Sequence, residues 1–193
     1  MAKIAFILLC HADASAVIAQ AERLTATGDY VAIHFDRRGS ARDYAAITAA
    51  LARNPNVVFA QTRVKCAWGD WSLVRATLNT LLTALQSFRD ATHLYLISGD
   101  CLPIKSANYV HRFLDSDNRD HIEAFDFFTS DWIKTGLKDE RLTYRHWFKE
   151  RSQPWLFYRS LAVQKALNLR RSIPADIAVQ VGSQWWCLRR ATV

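Results

Sequence analysis

Apolar runs of strand length alternate with helix-length amphipathic segments through the first hundred residues, and this alternation restricts the fold more than any other feature. Each run is followed by a segment whose apolar residues recur every three or four positions. The strand candidates are Lys3–Cys10, Tyr30–Phe35, Asn56–Ala60 and Leu94–Ile97. Strands joined by helices form a parallel sheet with right-handed crossovers. The sequence therefore predicts an α/β fold with a mostly parallel sheet flanked by helices.

Capping residues mark the helices between these strands. Asp13 or Ser15 can cap the first helix, and Arg42–Leu51 has the pattern of a second. We expect Ser72 to cap a third, long helix, because an apolar face follows it at helical spacing. That face would consist of Leu73, Val74, Thr77, Leu78, Leu81, Leu82, Leu85 and Phe88.

Beyond residue 106 the predicted elements become shorter and less regular. They are a helix over Ala107–Leu114, a strand over His121–Phe128, a helix near Leu161–Leu169 and a strand over Val181–Leu188. Residues 129–180 are rich in aromatic and charged side chains and have weak periodicity. We predict a single domain over residues 1–193, with an α/β half at 1–128 and an irregular, aromatic-rich segment at 129–193.

Hydropathy and cysteine spacing exclude several classes of protein. Half of the residues are hydrophobic, yet no apolar run approaches the roughly 18 residues of a membrane span. The apolar N-terminus is short and lacks a cleavage site, which is typical of a core strand rather than a signal peptide. The four cysteines have neither metal-ligand nor Cys-x-x-Cys spacing. This usage predicts a reduced, cytoplasmic compartment.

The chain is basic, with 25 Lys and Arg against 18 Asp and Glu and a formal net charge of +7. The basic residues are dispersed rather than gathered in one run. Such a charge suits a nucleotide diphosphate, an acidic polymer or a membrane surface. Net charge does not separate these partners, so peripheral membrane association stays open at this level.

Three predicted strands end in chemically useful residues. The first ends at His11, the second at Asp36, and the last early strand at Ser98-Gly99-Asp100. In open α/β sheets, ligands bind at the carboxyl ends of the strands. Each group also has a structural interpretation: His11 as a hydrogen-bonding histidine, Asp36 as a turn residue, and Ser98–Asp100 as a tight turn with a capping Asp.

Two tryptophans, Trp68 and Trp71, flank Gly69 just before the third predicted helix. They could stack on a base or a sugar; the alternative is one buried and one surface tryptophan. No Gly-x-Gly-x-x-Gly or Walker-type loop is present. The only Asp-x-Asp segment, Asp115–Asp117, lies in a polar loop after a helix, where it would not meet a diphosphate. We therefore expect neither a metal ion nor a cofactor.

Taken in order, these segments resemble the Branch glycosyltransferases, that is, the core-2/I-branching β-1,6-N-acetylglucosaminyltransferases and the peptide O-xylosyltransferases. The matching segments follow the family order over nearly the whole chain. They are Tyr30–Arg38, Trp68-Gly69 with Ser72, Leu94–Lys105, Asp139–Arg141, Ile173-Pro174 and Gly182–Trp186.

The resemblance implies a Rossmann-like fold of the GT-A type and a sugar transferase that needs no metal. It implies that N-acetylglucosamine or xylose is transferred from a UDP-sugar with inversion at the sugar carbon. The acceptor would be a hydroxyl of a glycan, a polysaccharide or a glycosylated molecule, and no nucleic-acid partner is implied. By position, the nucleotide would contact His11, Asp36, Trp68, Gly69, Ser98, Gly99 and Asp100, making residues 1–128 the nucleotide-binding half. The donor sugar or acceptor would contact Glu140, Arg141, Arg145, Gln184, Trp185 and Trp186, on the acceptor side at 129–193.

The chain departs from the family pattern in two places. The family's acidic residue usually comes one position later, where this chain has Cys101. Xylosyltransferases carry Asp at the position of Gln184, and an amide cannot serve as a general base.

In the family, the catalytic glutamate follows a proline well beyond the Gly-Ser-x-Trp segment. We therefore expect the catalytic base to lie beyond Val193, the fold to be C-terminally incomplete, and the 193-residue chain alone to transfer no sugar.

The alternative hypothesis is a non-catalytic basic module that binds acidic polysaccharide or nucleic acid, which the net charge and the tryptophans favour.

Overall fold

A computed structural model describes residues 1–134 and 136–193. These residues form two compact units. The first comprises Met1–Ile122 and Gln184–Val193, and the second comprises Glu123–Ser183. The first unit holds a six-stranded sheet, and the second holds a two-stranded one.

Strands and helices alternate through the first unit as the sequence predicts. The strands are β1 (Ile4–Cys10), β2 (Tyr30–Phe35), β3 (Val57–Phe59), β4 (His93–Ser98), β5 (His121–Ile122), β6 (Phe125–Asp126), β7 (Gln180–Val181) and β8 (Trp186–Arg189). The helices are α1 (Ala14–Thr25), α2 (Ala41–Leu51), α3 (Trp71–Ser87), α4 (Ala107–Ser116), α5 (Glu140–Thr143) and α6 (Pro154–Ala166), with a final 3₁₀ turn at Arg190–Thr192. No helix among the described residues combines the length and the apolar character needed to cross a membrane.

The large sheet has the strand order β3-β2-β1-β4-β8-β5. Strands β1 to β4 run parallel to one another. At the β4 edge, β8 pairs antiparallel with β4 on one side and with β5 on the other. The predicted α/β fold with a mostly parallel sheet is therefore confirmed. The chain moves outward from β1 to β3 and then returns to β4 on the other side of β1. This reversal creates a topological switch point between β1 and β4, where open α/β sheets bind ligands.

Strand β1 is covered on both faces, and its residues alternate between two apolar clusters. Ile4, Phe6 and Leu8 pack in one cluster with residues of α1 and α2. Ala5 and Ile7 pack in the other with residues of α3. This is the burial expected for a parallel strand with helices on both sides, and it explains the continuous apolar run of β1.

Helix α3 differs from its prediction in cap and in orientation. Its N-cap is Asp70, whose side chain accepts the N–H of Ser72, so Ser72 lies inside the helix. The predicted apolar face is only partly buried: Leu81 and Phe88 are buried, whereas Leu78 and Leu82 are 45% and 55% exposed. Within the helix the buried residues are Leu81 and four small ones that allow close approach to the sheet, Ala76, Thr80, Thr83 and Ala84. The apolar pattern therefore predicted part of the buried face and missed the small residues beside it.

Two predicted strands are each divided in the structure. His121–Phe128 contains β5, which pairs with β8, and β6, which pairs with β7 in the smaller sheet. Val181–Leu188 is divided in the same way. The division occurs where the backbones of Gly182 and Glu123 meet: a Cβ on Gly182 would lie 1.8 Å from the Glu123 carbonyl oxygen. The last helix also begins earlier than predicted, with Pro154 in its first turn.

Buried polar contacts tie the ends of the first unit together. The Asp29 carboxylate accepts the Ile4 N–H at 2.9 Å and lies 2.7 Å from His111 Nε2 of α4. Arg190, near the chain end, donates to the Leu85 and Phe88 carbonyl oxygens at the end of α3. These carbonyl groups would otherwise lack helical partners. The last residues of the chain are thus an integral part of the first unit.

We predict that Gly182→Ala destabilises the protein by about 3 kcal/mol, because the new methyl group would collide with backbone that cannot rotate away. Urea denaturation monitored by tryptophan fluorescence measures this loss. Gly28→Ala is the matched control: Gly28 has φ +88° and open space where a Cβ would lie, so strain alone should cost about 1 kcal/mol. Equal losses in the two variants would contradict the proposed close contact.

Candidate functional site

The carboxyl ends of β1, β2 and β4 lie side by side in the first unit. The Asp36 N–H donates to the Cys10 carbonyl oxygen at 2.8 Å, and the Gly99 N–H donates to the Leu9 carbonyl oxygen at 3.0 Å. The predicted residues after β2 and after β4 therefore flank the end of β1, where exposed His11 follows. The structure brings these three parts of the predicted site to one edge.

Asp36 organises this edge. Its side chain is largely buried, and its carboxylate accepts the N–H groups of Arg38 at 2.8 Å and of Cys66 at 3.3 Å. The first bond closes the turn after β2, so the interpretation of Asp36 as a turn residue is confirmed. The second bond ties this turn to the loop that leads into α3. A carboxylate has about four acceptor positions, so these two donors leave capacity for a ligand.

The loop of residues 64–72 carries Trp68 and Gly69 and is held at several points. The Val64 N–H donates to Nε2 of buried His34 at 2.8 Å, and the Ala67 N–H donates to the Ser72 hydroxyl at 3.0 Å. Gly69 has φ +68°, a conformation that glycine adopts without strain. The loop is therefore positioned by the sheet at one end and by α3 at the other.

Trp68 and Trp71 are 76% and 69% exposed. The alternative interpretation, with one of the two tryptophans buried, is therefore wrong. The exposed indole ring of Trp68 lies on the loop that the Cys66 N–H ties to Asp36, and it offers a surface on which a planar base or the apolar face of a sugar can stack.

Residues 98–101 form a tight turn at the end of β4. The Cys101 N–H donates to the Ser98 carbonyl oxygen at 3.1 Å, and the Gln20 side chain donates to the carbonyl oxygens of Ser98 and Cys101 at 3.0 and 2.7 Å. A Cβ on Gly99 would lie 3.0 Å from Cys10 Cβ, so glycine permits the close approach of the two strand ends. Asp100 is exposed at the tip of the turn.

A groove of about 280 Å³ opens beside Asp36. Arg63 forms part of its wall: it donates to the carbonyl oxygens of Phe35 and Asp36, and its guanidinium lies 3.9 Å from the centre of the Tyr44 ring. The groove is lined by Arg37, Tyr44, Ala60, Gln61, Thr62 and Arg63. Sequence analysis missed Arg63 and Tyr44, because their contacts join distant segments and no local pattern marks them.

Two thiols near the site, those of Cys10 and Cys66, are unsuited to nucleophilic chemistry. Burial raises the pKa of Cys10 to about 12. Burial and the negative charge of Asp36 raise the pKa of Cys66 to about 11. Both side chains are therefore protonated at neutral pH, and the thiolate is the reactive form.

Within the part of the chain that the structure describes, no three His, Cys, Asp or Glu side chains gather as metal ligands. In the Asp-x-Asp segment, Asp117 is paired with Arg119 at 2.5 Å. Asp115 lies 3.7 Å from the N-terminal ammonium group. These carboxylates belong to the end of α4 and not to the strand ends.

In the second unit, Glu140 begins α5 and lies 3.1 Å from Lys165 Nζ. Backbone N–H groups and Lys165 hold the pKa of Glu140 below its usual range, so Glu140 suits hydrogen-bond acceptance better than proton abstraction. Arg141 and Arg145 are exposed. The buried Gln164 side chain fixes the Arg145 backbone through bonds of 2.9 Å to its N–H and 3.0 Å to its carbonyl oxygen.

Gln184, Trp185 and Trp186 belong to the first unit. Gln184 and Trp185 are exposed just before β8. Trp186 lies within β8, opposite Ile122, and packs partly against the α3-side cluster. Its side chain therefore stabilises the sheet, whatever else it contacts.

The His34 hydrogen bond predicts a pH dependence of stability. Burial lowers the pKa of His34, and Nε2 can accept the Val64 N–H only when the ring is neutral. Below the ordinary histidine pKa of about 6.5, the unfolded chain binds a proton that folded His34 resists, so stability should fall as the pH falls. Urea midpoints at about pH 7.5 and about pH 5.5 would measure this.

The control for this experiment is His34→Gln, whose amide can accept the same N–H but does not titrate. It should lose less stability on acidification than the original protein. An equal loss in both proteins would show that His34 does not cause the pH dependence.

A search of curated proteins gave no match to this chain. The family model described as "Branch: Core-2/I-Branching enzyme" matches residues 4–193. The match spans the strand-end edge of the first unit and the whole second unit, in agreement with the segments that suggested the resemblance. The chain therefore belongs to the Branch family of core-2/I-branching enzymes, which are glycosyltransferases.

Proposed function

We propose that this glycosyltransferase uses a UDP-sugar as donor and binds its nucleotide at the carboxyl edge of β1, β2 and β4. The observation that carries the proposal is the link between Asp36 and the Trp68 loop through the Cys66 N–H. This link joins Asp36, which follows β2, to the loop that carries exposed Trp68, and it supports a nucleotide site at the carboxyl edge of the parallel strands.

Uridine has chemical features that match this edge. Uracil presents one N–H donor and a flat ring, so a carboxylate with spare acceptor capacity and an exposed indole suit it. The ribose hydroxyls can bond to Ser98 or Asp100 at the end of β4. His11 and Gly69 complete the proposed contacts around the nucleoside.

The diphosphate requires positive charge, because negative charge builds up on it as the sugar leaves. Arg37 and Arg38 directly follow Asp36 and are exposed. They supply cationic side chains close to the proposed uridine site.

We propose that the site works without a metal ion. Metal-dependent sugar transferases with this fold carry two carboxylates at a strand end to hold a divalent cation. This chain has Asp100 followed by Cys101 and then Leu102 at the corresponding turn. A single carboxylate there can accept ribose hydroxyls but makes a weak cation site.

For the transfer itself we propose inversion at the sugar carbon, with a hydroxyl of a glycan, polysaccharide or glycosylated acceptor as the nucleophile. Glu140, Arg141, Arg145, Gln184 and Trp185 are the proposed contacts to the donor sugar or acceptor. An amide at Gln184 cannot act as a base, so we favour N-acetylglucosamine over xylose as the transferred sugar.

We propose a cytoplasmic location on the basis of cysteine usage.

Calorimetric titration with UDP tests the nucleotide site directly. Trp68→Ala should weaken UDP binding by about tenfold, because stacking of one base on an aromatic ring contributes about 1–3 kcal/mol. Trp71→Ala is the matched control, since it removes an equally large exposed indole three residues away. Asp36→Ala should also weaken binding, and Mn²⁺ should leave the affinity unchanged.

Three results would contradict this proposal: no UDP binding to a folded sample at millimolar ligand, equal weakening by the two tryptophan variants, or a requirement for Mn²⁺. The alternative of a basic polyanion-binding module has a different signature. It predicts binding to acidic polysaccharide that falls steeply with salt and is indifferent to Asp36.

A further inference from the structure

The second unit contains a cavity of about 420 Å³ that none of the proposed donor or acceptor contacts lines. Its lining residues are Phe125, Ser130, Asp131, Trp132 and Lys134. This volume lies within the range of about 300–1,000 Å³ typical of small-molecule sites. The lining combines two aromatic rings with a hydroxyl, a carboxylate and an ammonium group.

The aromatic part of this cavity is a preformed platform. The rings of Phe125 and Trp132 are stacked, with centroids 5.5 Å apart and planes 27° apart. The side chains are nevertheless 43% and 42% exposed. Two stacked rings that remain partly accessible offer a flat apolar surface on which a ligand can pack.

The polar part is held by the turn after β6. The Asp126 carboxylate accepts the N–H groups of Phe128 and Thr129 at 3.0 and 2.9 Å, and the Ser130 N–H donates to the Asp126 carbonyl oxygen at 3.1 Å. Lys138 Nζ donates to the Ser130 carbonyl oxygen at 3.2 Å. The backbone of Ser130 is therefore held on both sides.

The Ser130 hydroxyl oxygen is buried and has no hydrogen-bond partner among the described residues. Buried hydroxyl groups are normally paired, and leaving one unpaired costs about 1–3 kcal/mol. Rotation of the Ser130 side chain about its Cα–Cβ bond would turn this hydroxyl toward the adjoining cavity, where a ligand hydroxyl would pair with it. Exposed Asp131 and Lys134 add an acceptor and donors at the rim.

The geometry points to a carbohydrate subsite in this cavity, occupied by one pyranose ring of a glycan. A pyranose has an apolar C–H face that packs on aromatic rings, and hydroxyl groups around its edge that need donors and acceptors together. Trp132 and Phe125 would take the face, and Ser130, Asp131 and Lys134 would bind the hydroxyls. The inference rests on the proposed transfer to a glycan, because it identifies where the second unit holds a sugar of that class.

Saturation-transfer NMR on the full chain tests the subsite with methyl β-glycosides of glucose, galactose and N-acetylglucosamine as probes. At least one probe should receive saturation at its C–H face, with a dissociation constant in the millimolar range. Trp132→Ala should weaken that binding by about tenfold or more. Trp155→Ala is the matched control, because Trp155 is an exposed tryptophan of the same unit that does not line the cavity.

Two rim variants keep the test decisive if Trp132→Ala fails to fold. Asp131→Asn and Lys134→Met alter exposed side chains, and each should weaken probe binding severalfold without changing the circular dichroism spectrum. The inference is overturned if no probe binds at tens of millimolar, if Trp132→Ala binds as the original protein does, or if uridine displaces the sugar from this cavity.

A UDP titration of the same sample separates this inference from the proposed function. UDP binding without sugar binding at Trp132 overturns the subsite alone. Sugar binding at Trp132 without UDP binding supports the subsite and contradicts the proposed UDP-sugar chemistry.

Discussion

Burial of β1 on both faces is the constraint on which the first unit depends. Alternate side chains of this strand enter the α1–α2 cluster and the α3 cluster, so one strand joins both halves of the core. Its pairing with β2 on one side and β4 on the other brings two distant chain segments to the same edge. The candidate site exists because Cys10 and Leu9 accept backbone N–H groups from Asp36 and Gly99 at that edge.

Asp36 has a structural role at this edge and is also the centre of the proposed nucleotide site. Its carboxylate closes the turn after β2 and anchors the Trp68 loop through Cys66. A residue that only capped a turn would not need to reach a loop thirty positions away. By holding that loop, Asp36 fixes the segment that carries the exposed Trp68 indole, and for this reason we propose that the two side chains bind the nucleotide together.

Local patterns were sufficient to predict the parallel sheet, its first four strands and the strand-end residues. The alternation of β1, β2 and β4 with amphipathic helices is visible in sequence because each element buries a face of regular period. The orientation of α3 was only partly visible, since small residues such as Ala76 and Ala84 share the packing with Leu81 while Leu78 and Leu82 lie outside. The divided strands could not be predicted either, because the close approach of Gly182 to Glu123 is a contact between distant segments. The roles of Arg63 and His34 were hidden for the same reason: their partners are about thirty residues away along the chain.

The proposed nucleotide site at the Asp36 edge is tested most directly by following the backbone amide NMR signals of the full chain while UDP is added. If Asp36 and the Trp68 loop bind the nucleotide together, the amide signals of Arg38 and Cys66 and the indole signal of Trp68 should shift and saturate with a single affinity. The indole signal of Trp155, in the second unit, serves as the internal reference and should stay in place. Saturating UDP that leaves the Arg38 and Cys66 amides unmoved would contradict the assignment of this edge.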